Sequence, residues 1–323
     1  MKADHPDAGS ADALEPGVRT FVDRVCAEVL RRTGGRALGL EVTRRIAEEA
    51  RAPWREGGPL MARTLDLRVP GSQPVRVRIH HPAAGEPNGA LVYMHGGGWT
   101  LFSLDTHDRL MREYAARSGL AVVGVDYSLA PEHRFPRALE EVVQVIDWLV
   151  AEGESVGVDP ARLAAGGDSA GANLALAAAL RRRDHAGDAG LRALLLSYGC
   201  YQVEVSAAAA RRFGGPRFML TPGEMAGFWA GYLRSPADAA DPLASPLLAD
   251  LTAMPPTFLA IAECDILAEQ SRLLEARLRA AGVPTTTAAY AGASHSFLEA
   301  VAVSPLAALA LQDASDWLAE RCR

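Results

Sequence analysis

The sequence predicts an α/β protein with an eight-stranded, mostly parallel β-sheet, helices on both faces and a helical cap. Short apolar runs, typical of buried strands, alternate along most of the chain with stretches of helical periodicity. The 323 residues are 49% hydrophobic and 22% charged, which suits a globular protein with a large core. Two stretches, residues 1–60 and 199–250, depart from the alternation and are the candidates for the cap.

Residues 1–60 precede the first predicted strand and have helical periodicity. Apolar residues recur at spacings of three and four between Val18 and Leu30, and a second helical stretch covers residues 40–51. We expect this segment to pack on the sheet as the first part of the cap. Whether it is structural padding or part of a lid stays open at this point.

Residues 61–198 carry the first part of the sheet. Residues 63–69 and 75–81 alternate polar and apolar positions around a turn, which predicts an antiparallel hairpin. Apolar strands follow at 90–94, 121–126, 163–166 and 193–198, and helices at about 105–118, 138–151 and 170–183. Strands separated by helices are expected to run parallel.

Residues 251–323 complete the sheet after the insert 199–250. Strands are predicted at 257–262 and 285–290, and helices at about 270–281 and 305–321. The insert is rich in aromatic residues and is expected to lie over the carboxyl ends of the strands, where open α/β sheets bind ligands. We interpret the chain as one catalytic domain with a cap made from both irregular stretches.

The run Gly167-Asp-Ser169-Ala-Gly171 stands between a predicted strand and a predicted helix. Glycines on both sides of Ser169 let the backbone bend sharply enough to expose its hydroxyl, as a nucleophile elbow requires. The alternative is a simple Gly/Ser turn. The turn becomes a catalytic candidate only if a base and an acid occur elsewhere in the chain.

A histidine and an aspartate follow the last two predicted strands. His295 lies in the predicted loop 291–297 and is the candidate base, and Asp265 follows the apolar strand 257–262 and is the candidate acid. Each has an alternative role, as a loop histidine or as a helix cap, and Glu263 and Asp241 compete for the acid role. The order Ser169, Asp265, His295 is that of α/β-hydrolases.

His95-Gly-Gly-Gly98 follows the strand 90–94 and predicts an oxyanion hole. Backbone N–H groups of Gly97, Gly98 and Ala170 are the candidate donors to the oxygen that becomes negative in an acyl-transfer transition state. A phosphate cradle is the weaker alternative, because neither GxxxxGK[ST] nor GxGxxG occurs in the right context.

Composition argues against several other function classes. A net charge of −6 and the lack of long basic runs argue against nucleic acid as a partner. We find no apolar stretch long enough for a membrane span and no signal peptide, so we expect a cytoplasmic protein. The four cysteines and eight histidines lack metal-ligand spacing, so no metal and no cofactor is expected, and the thiols should be reduced.

These motifs together resemble the bacterial hormone-sensitive-lipase family of carboxylesterases, specifically its GDSAG branch. The resemblance covers residues 60–320 and rests on His95–Trp99, 125–132, Gly167–Gly171, and the Asp265 and His295 segments. The stretch 263–299 also looks like acetyl esterases. The resemblance implies an α/β-hydrolase core, a cap, hydrolysis of short acyl esters of about two to six carbons, and a homodimer formed through a sheet edge.

Two positions depart from the pattern of that family. Ile266 stands where the family usually has proline after the acid, and Ala172 stands where it usually has a second glycine. Neither change removes a reacting group. Alanine is also the better helix former at the second position.

The leading hypothesis is therefore a cofactor-free serine esterase acting on a small-molecule ester. The alternatives are an amidase or deacetylase acting on a natural product, and a ligand-binding receptor on the same scaffold; the retained His295 disfavours the receptor. We expect aromatic and aliphatic side chains near the oxyanion loop and in the insert to shape the pocket. The candidates are Trp99, Leu101, Phe102, Phe213, Phe218, Phe228 and Trp229.

Overall fold

The computed structural model describes residues 13–85 and 88–322. Two N-terminal helices come first, α1 (Pro16–Thr33) and α2 (Leu40–Arg55). Proline at the start of α1 and the left-handed Gly34 after its end set its limits. Phe21 and Trp54 join the two helices through an edge-to-face ring contact with centroids 4.8 Å apart.

An eight-stranded sheet forms the centre of the molecule, in the order β1-β2-β4-β3-β5-β6-β7-β8. The strands are β1 (Arg63–Val69), β2 (Val75–His81), β3 (Asn88–Met94), β4 (Ala121–Asp126), β5 (Val158–Asp168), β6 (Ala193–Ser197), β7 (Thr257–Cys264) and β8 (Thr285–Ser294). β2 pairs antiparallel with both β1 and β4, and the other neighbours are parallel. The predicted mostly parallel, eight-stranded sheet is confirmed.

Helices connect the strands and cover the sheet. They are α3 (Asp108–Ser118), α4 (Arg137–Glu152), α5 (Ala170–Ala186), α8 (Ala268–Ala280) and α9 (Pro305–Cys322), with α6 (Ala207–Phe213) and α7 (Pro222–Tyr232) inside the insert. α3 packs against α9, and α4 against α5. Leu91, Val123 and Leu195 are fully buried, as expected of strands covered on both faces.

One predicted boundary next to the candidate site is wrong. Residues 291–297 were expected to form a loop, but β8 continues to Ser294, and His295 follows the strand directly. The register shifts between Ala262 and Cys264, so that Cys264 pairs with Ser294. A shift of this kind is an irregular bend in the sheet that a single-strand pattern does not reveal. It brings the ends of β7 and β8 side by side.

Among the described residues, no helix has the length and hydropathy needed to cross a membrane. The same residues contain no group of three or more His, Cys, Asp or Glu side chains arranged to hold a metal ion. All four cysteines are free thiols.

Candidate active site

Ser169 occupies the sharp turn between β5 and α5. β5 ends at Asp168 and α5 begins at Ala170, so Ser169 alone connects them, with φ 54° and ψ −118°. A positive φ is costly for a residue with a side chain and persists where the surroundings enforce it. A Cβ on Gly167 or on Gly171 would collide with the Met94 carbonyl. The two glycines therefore let the elbow lie against β3.

Ser169, His295 and Asp265 form a continuous hydrogen-bonded chain. His295 Nε2 lies 2.9 Å from Ser169 Oγ, and Nδ1 lies 2.7 Å from Asp265 Oδ2. A carboxylate only accepts, so Nδ1–H donates to Asp265 and Nε2 is left to accept from the Ser169 hydroxyl. All three residues are buried. The sequence predicted these three residues, and the structure brings them together.

Burial and the neighbouring carboxylate have opposite effects on His295. Removal from water disfavours the imidazolium, whereas the charge and hydrogen bond of Asp265 favour it. Asp168 and Glu299 add to the second effect, and the net result is a His295 pKa above its usual value of 6.5. The imidazole of His295 is therefore a stronger base than a free histidine side chain.

Neither competing acid contacts His295. The Asp241 carboxylate accepts a hydrogen bond from the Leu243 N–H at 2.8 Å, and Glu263 pairs with Arg272 at 2.7 Å. Both carboxylates thus have local partners. Their positions in the sequence, close to strand or loop ends, did not distinguish them from Asp265.

The segment 96–98 passes beside the elbow with glycine-dependent geometry. Gly97 has φ 110° and Gly98 has φ 59°, and a Cβ at Gly98 would enter the Phe228 ring. Neither N–H donates to an acceptor among the described residues, so both remain free for a ligand. Ala170 supplies the first N–H of α5, at the positive end of that helix.

Asp168 fastens this loop to the elbow, a role that sequence reasoning missed. Its Oδ1 accepts from the Gly96 N–H at 3.1 Å and from the Tyr93 hydroxyl at 2.6 Å, and His107 Nε2 lies 3.5 Å away. Although burial opposes ionisation, His107 and Tyr93 hold the pKa of Asp168 below its usual value. In the sequence, the signal for this role was an acidic residue directly before Ser169. A single residue does not indicate which distant groups it contacts.

A cavity of about 340 Å³ opens over Ser169 and His295. Its wall is mostly apolar, as is usual for a small-molecule site. None of the lining residues from the N-terminal helices was assigned to the pocket from the sequence. They are Val25, Cys26, Val29, Leu30, Thr33, Thr43, Ile46, Ala47 and Arg51. The insert contributes Met219, Leu220, Glu224, Met225 and Phe228, and Gly97, Gly98, Leu101, Phe102, Cys200 and Ser296 complete the lining.

Of the seven side chains expected to shape the pocket, Leu101, Phe102 and Phe228 line this cavity. The other four pack inside the protein. Trp99 stacks on Tyr232 with centroids 4.1 Å apart and also contacts Trp229, and Phe213 packs edge-on against Phe218 at 5.4 Å. An aromatic residue gains from burial in a core as much as in a pocket, and the sequence does not tell the two apart.

Comparisons with known proteins agree with this architecture. A family model described as alpha/beta hydrolase fold matches residues 91–299. An acetyl esterase of Salmonella choleraesuis is 38% identical over 273 residues, which is 84% of each chain. The structure of a hyperthermophilic esterase from the archaeon Pyrobaculum calidifontis superposes with a TM-score of 0.89 at 32% identity, over 95% of this chain and 98% of that chain. A thermostable carboxylesterase cloned from a metagenomic library gives a TM-score of 0.85 at 32% identity, over 88% and 98%.

Proposed function

Since the chain belongs to the alpha/beta hydrolase fold family and is a carboxylic ester hydrolase, we propose that Ser169, His295 and Asp265 are its catalytic triad. The observation that carries the proposal is the hydrogen-bonded chain from Ser169 Oγ through His295 to Asp265, which meets the cavity at Ser169. A nucleophile, a base and an orienting acid are what acyl transfer requires.

In the proposed mechanism the Ser169 oxygen attacks the ester carbonyl carbon while His295 Nε2 accepts the hydroxyl proton. The carbonyl oxygen becomes negative and receives hydrogen bonds from the N–H groups of Gly97, Gly98 and Ala170. When the tetrahedral intermediate collapses, the bond to the alkoxy oxygen breaks, and His295 returns the proton to the leaving alcohol. Water, activated by His295, then releases the acid from Ser169.

We further propose a small acyl group, of about two to six carbons, as the preferred substrate. The acetyl esterases among the relatives and the limited cavity of about 340 Å³ support this size. The lining by helices α1, α2 and α7 supports the assignment of residues 13–60 and 199–250 to a cap, and residues 1–12 of the first segment lie outside the described residues.

A homodimer and a cytoplasmic location belong to the same proposal. Among the strands that the structure describes, β8 is adjacent to β7 alone, and its other edge is a surface with which a second copy could pair. The four free thiols are in keeping with a reducing compartment. Analytical ultracentrifugation tests the first part, and cell fractionation tests the second.

The triad is tested by hydrolysis of nitrophenyl esters from acetate to octanoate. Ser169→Ala is expected to reduce kcat by at least about 10³-fold, because the hydroxyl that attacks the ester carbonyl is removed. Ser155→Ala, an exposed serine outside the cavity lining, is the matched control and should keep the wild-type rate. A phosphonate inhibitor followed by peptide mapping should label Ser169. Equal rates for Ser169→Ala and wild type, or a label elsewhere, would refute the assignment.

A further inference from the structure

Arg51 places a buried guanidinium in the wall of the active-site cavity. It lies in the last part of α2, only 6% of the residue is exposed, and it lines the same cavity as Ser169. Among the described lining residues the other acid and basic side chains are His295, which belongs to the triad, and the exposed Glu224. Burying a cation in a mostly apolar wall costs free energy unless hydrogen bonds or an opposite charge compensate it.

Part of the Arg51 side chain is held by the protein. Its Nε donates to the carboxylate of Glu299, with distances of 3.1 Å and 3.4 Å to the two oxygens. The guanidinium carbon lies 4.5 Å from the centroid of the Phe102 ring, and Nη2 lies 3.6 Å from the sulfur of Met219. These contacts fix the orientation of the group.

Arg51 Nη1 has no hydrogen-bond acceptor among the described residues. Although Arg51 as a whole is buried, its Nη1 atom is not among the polar atoms that are both inaccessible and without a partner. A guanidinium has five N–H donors and no acceptor. Nη1 therefore keeps some accessible surface, and because Arg51 lines the cavity, an oxygen atom of a molecule bound there can satisfy the free donors.

The Phe102 ring connects Arg51 to the oxyanion loop. A Cβ built on Gly97 would lie 2.8 Å from Cδ2 of Phe102, and Arg51 stacks on the same ring. Phe102 itself has φ 73°, so the ring is held by a backbone conformation that side chains rarely adopt. The Phe102 ring thus contacts both the guanidinium and the loop that carries the proposed oxyanion donors.

We propose that Arg51 is a specificity-determining residue, which binds a second, uncharged oxygen acceptor on the ester, such as a ketone or ether oxygen several bonds from the scissile carbonyl. This proposal rests on the proposed esterase function and adds the class of substrate: short esters with a polar tail. A purely aliphatic tail leaves the Nη1 donors without an acceptor or with water alone.

The ion pair with Glu299 favours an uncharged acceptor over a carboxylate. Glu299 is buried and its charge offsets that of Arg51 at 3.1 Å. A substrate anion would lose its hydration in an apolar cavity without meeting a net positive charge. A neutral oxygen pays a much smaller desolvation cost and still gains a hydrogen bond from a charged donor.

The test is a competition between matched esters in one sample. Nitrophenyl levulinate carries a ketone oxygen on a five-carbon acyl chain, and nitrophenyl pentanoate lacks it. A second pair compares the acetate of a keto-pentanol with pentyl acetate, so that the acyl and alcohol sides are both covered. Each kcat/KM ratio is divided by the ratio for hydroxide-catalysed hydrolysis, which removes intrinsic reactivity. The ratio does not depend on the folded fraction of a variant.

The wild type should prefer the keto ester in at least one pair by about fivefold or more. The double variant Arg51→Met with Glu299→Gln, which leaves no unpaired charge, should bring that ratio close to one, and Arg51→Lys should be intermediate. Arg44→Lys, on the same helix but outside the lining, should keep the wild-type ratio.

Three results overturn the proposal: no keto preference in either pair, a preference that persists in the double variant, or an Arg51-dependent preference for the hemisuccinate ester over the levulinate ester. Failure of the esterase function itself is a different result. In that case pentanoate hydrolysis would not depend on Ser169 at all.

Discussion

The floor of the cavity, formed by Gly97, Gly98, Ser169 and His295, is polar, whereas its roof, formed by the lining residues of α1, α2 and α7, is mostly apolar. Floor residues follow strands and are held by specific hydrogen bonds and by backbone conformations that need glycine. Roof residues lie on helices and are held mainly by packing, and Arg51 is also held by its ion pair with Glu299. We therefore expect floor variants to change kcat, and roof variants to change substrate preference or stability.

The largest effect is expected from Asp265, the proposed acid, which contacts His295 of the floor. Asp265→Asn keeps the shape of the side chain but lets the amide favour the wrong tautomer of His295, so kcat should fall about 10⁴-fold. Steady-state hydrolysis of nitrophenyl acetate measures this. Asp241→Asn and Glu263→Gln are the matched controls, because both carboxylates have other partners, and each should stay within about threefold of wild type. A larger loss in either control would move the acid role away from Asp265.

Gly98→Ala tests the contact between floor and roof. The new methyl would meet the Phe228 ring, and φ of 59° strains any residue with a side chain, so the N–H should move away from the oxyanion. We expect kcat to fall by about 10²-fold to 10³-fold, with a smaller change in KM. Gly223→Ala on α7, where a Cβ meets open space, is the control and should not change kcat. Full activity of Gly98→Ala would exclude this N–H as a donor.

The pH profile of kcat/KM distinguishes the titration of His295 from that of His107, which is also buried beside a carboxylate. Because the His295 pKa is raised above 6.5, its protonated, inactive form persists to higher pH, and kcat/KM should fall about tenfold per pH unit below that pKa. The Asp265→Asn variant should shift this limb to lower pH. His107 also has a raised pKa, since the attraction of Asp168 outweighs burial. If His107→Gln shifts the limb and Asp265→Asn does not, the limb does not report His295.

Features of the floor could be predicted from the sequence more completely than features of the roof. The presence of the eight strands, the turn at Ser169 and the positions of Asp265 and His295 after the last two strands were predictable, because each depends on a local pattern in or beside an apolar strand. The extension of β8 to Ser294 was not, because it depends on pairing with β7. The role of Asp168 was missed for a similar reason: its partners Tyr93 and Gly96 lie more than 70 positions away.

The roof was the least predictable region. Helical periodicity identified an apolar face on α1 but did not indicate that Val25 and Leu30 of that face border a cavity while Phe21 packs in the core. Arg51 was passed over because a charged residue on a surface helix is usually solvated. Its buried partner Glu299 lies 248 positions further along the chain, beyond the reach of a local pattern.

Phe228 and Phe213 both lie in the insert, so the same substitution at each position compares a cavity residue with a core residue. Phe228 lines the cavity, so Phe228→Ala should enlarge it and move the preferred nitrophenyl ester toward longer acyl chains by about two carbons, with kcat on acetate changed less than about tenfold. Phe213 is buried against Phe218 and does not line the cavity. Phe213→Ala should lower the free energy of unfolding by about 3 kcal/mol and leave the chain-length profile unchanged. A chain-length shift in the Phe213 variant instead would reverse their roles.

The smallest effect is expected at a surface ion pair that joins α2, which carries part of the roof, to the segment 100–132. Arg44 on α2 forms a bidentate pair with Glu132 at 2.7 Å and also donates to the carbonyl oxygens of Thr100 and Ala130. The bond from Arg44 lowers the pKa of Glu132 to about 2, so the pair adds stability above the usual carboxyl pKa of 4.5 and loses it as pH falls toward 2.

Because half of the Glu132 side chain is exposed, solvent and salt screen the pair, and Glu132→Gln should cost about 0.5 kcal/mol at neutral pH. Thermal unfolding should show a Tm lower by about 1 °C at low salt, and the difference should shrink at roughly 0.5 M salt and near pH 2. Arg44→Ala should cost more, since it also removes the donors to both carbonyl oxygens. If Glu132→Gln were as costly as Arg44→Ala, the ion pair and not the carbonyl contacts would account for the stabilisation by Arg44.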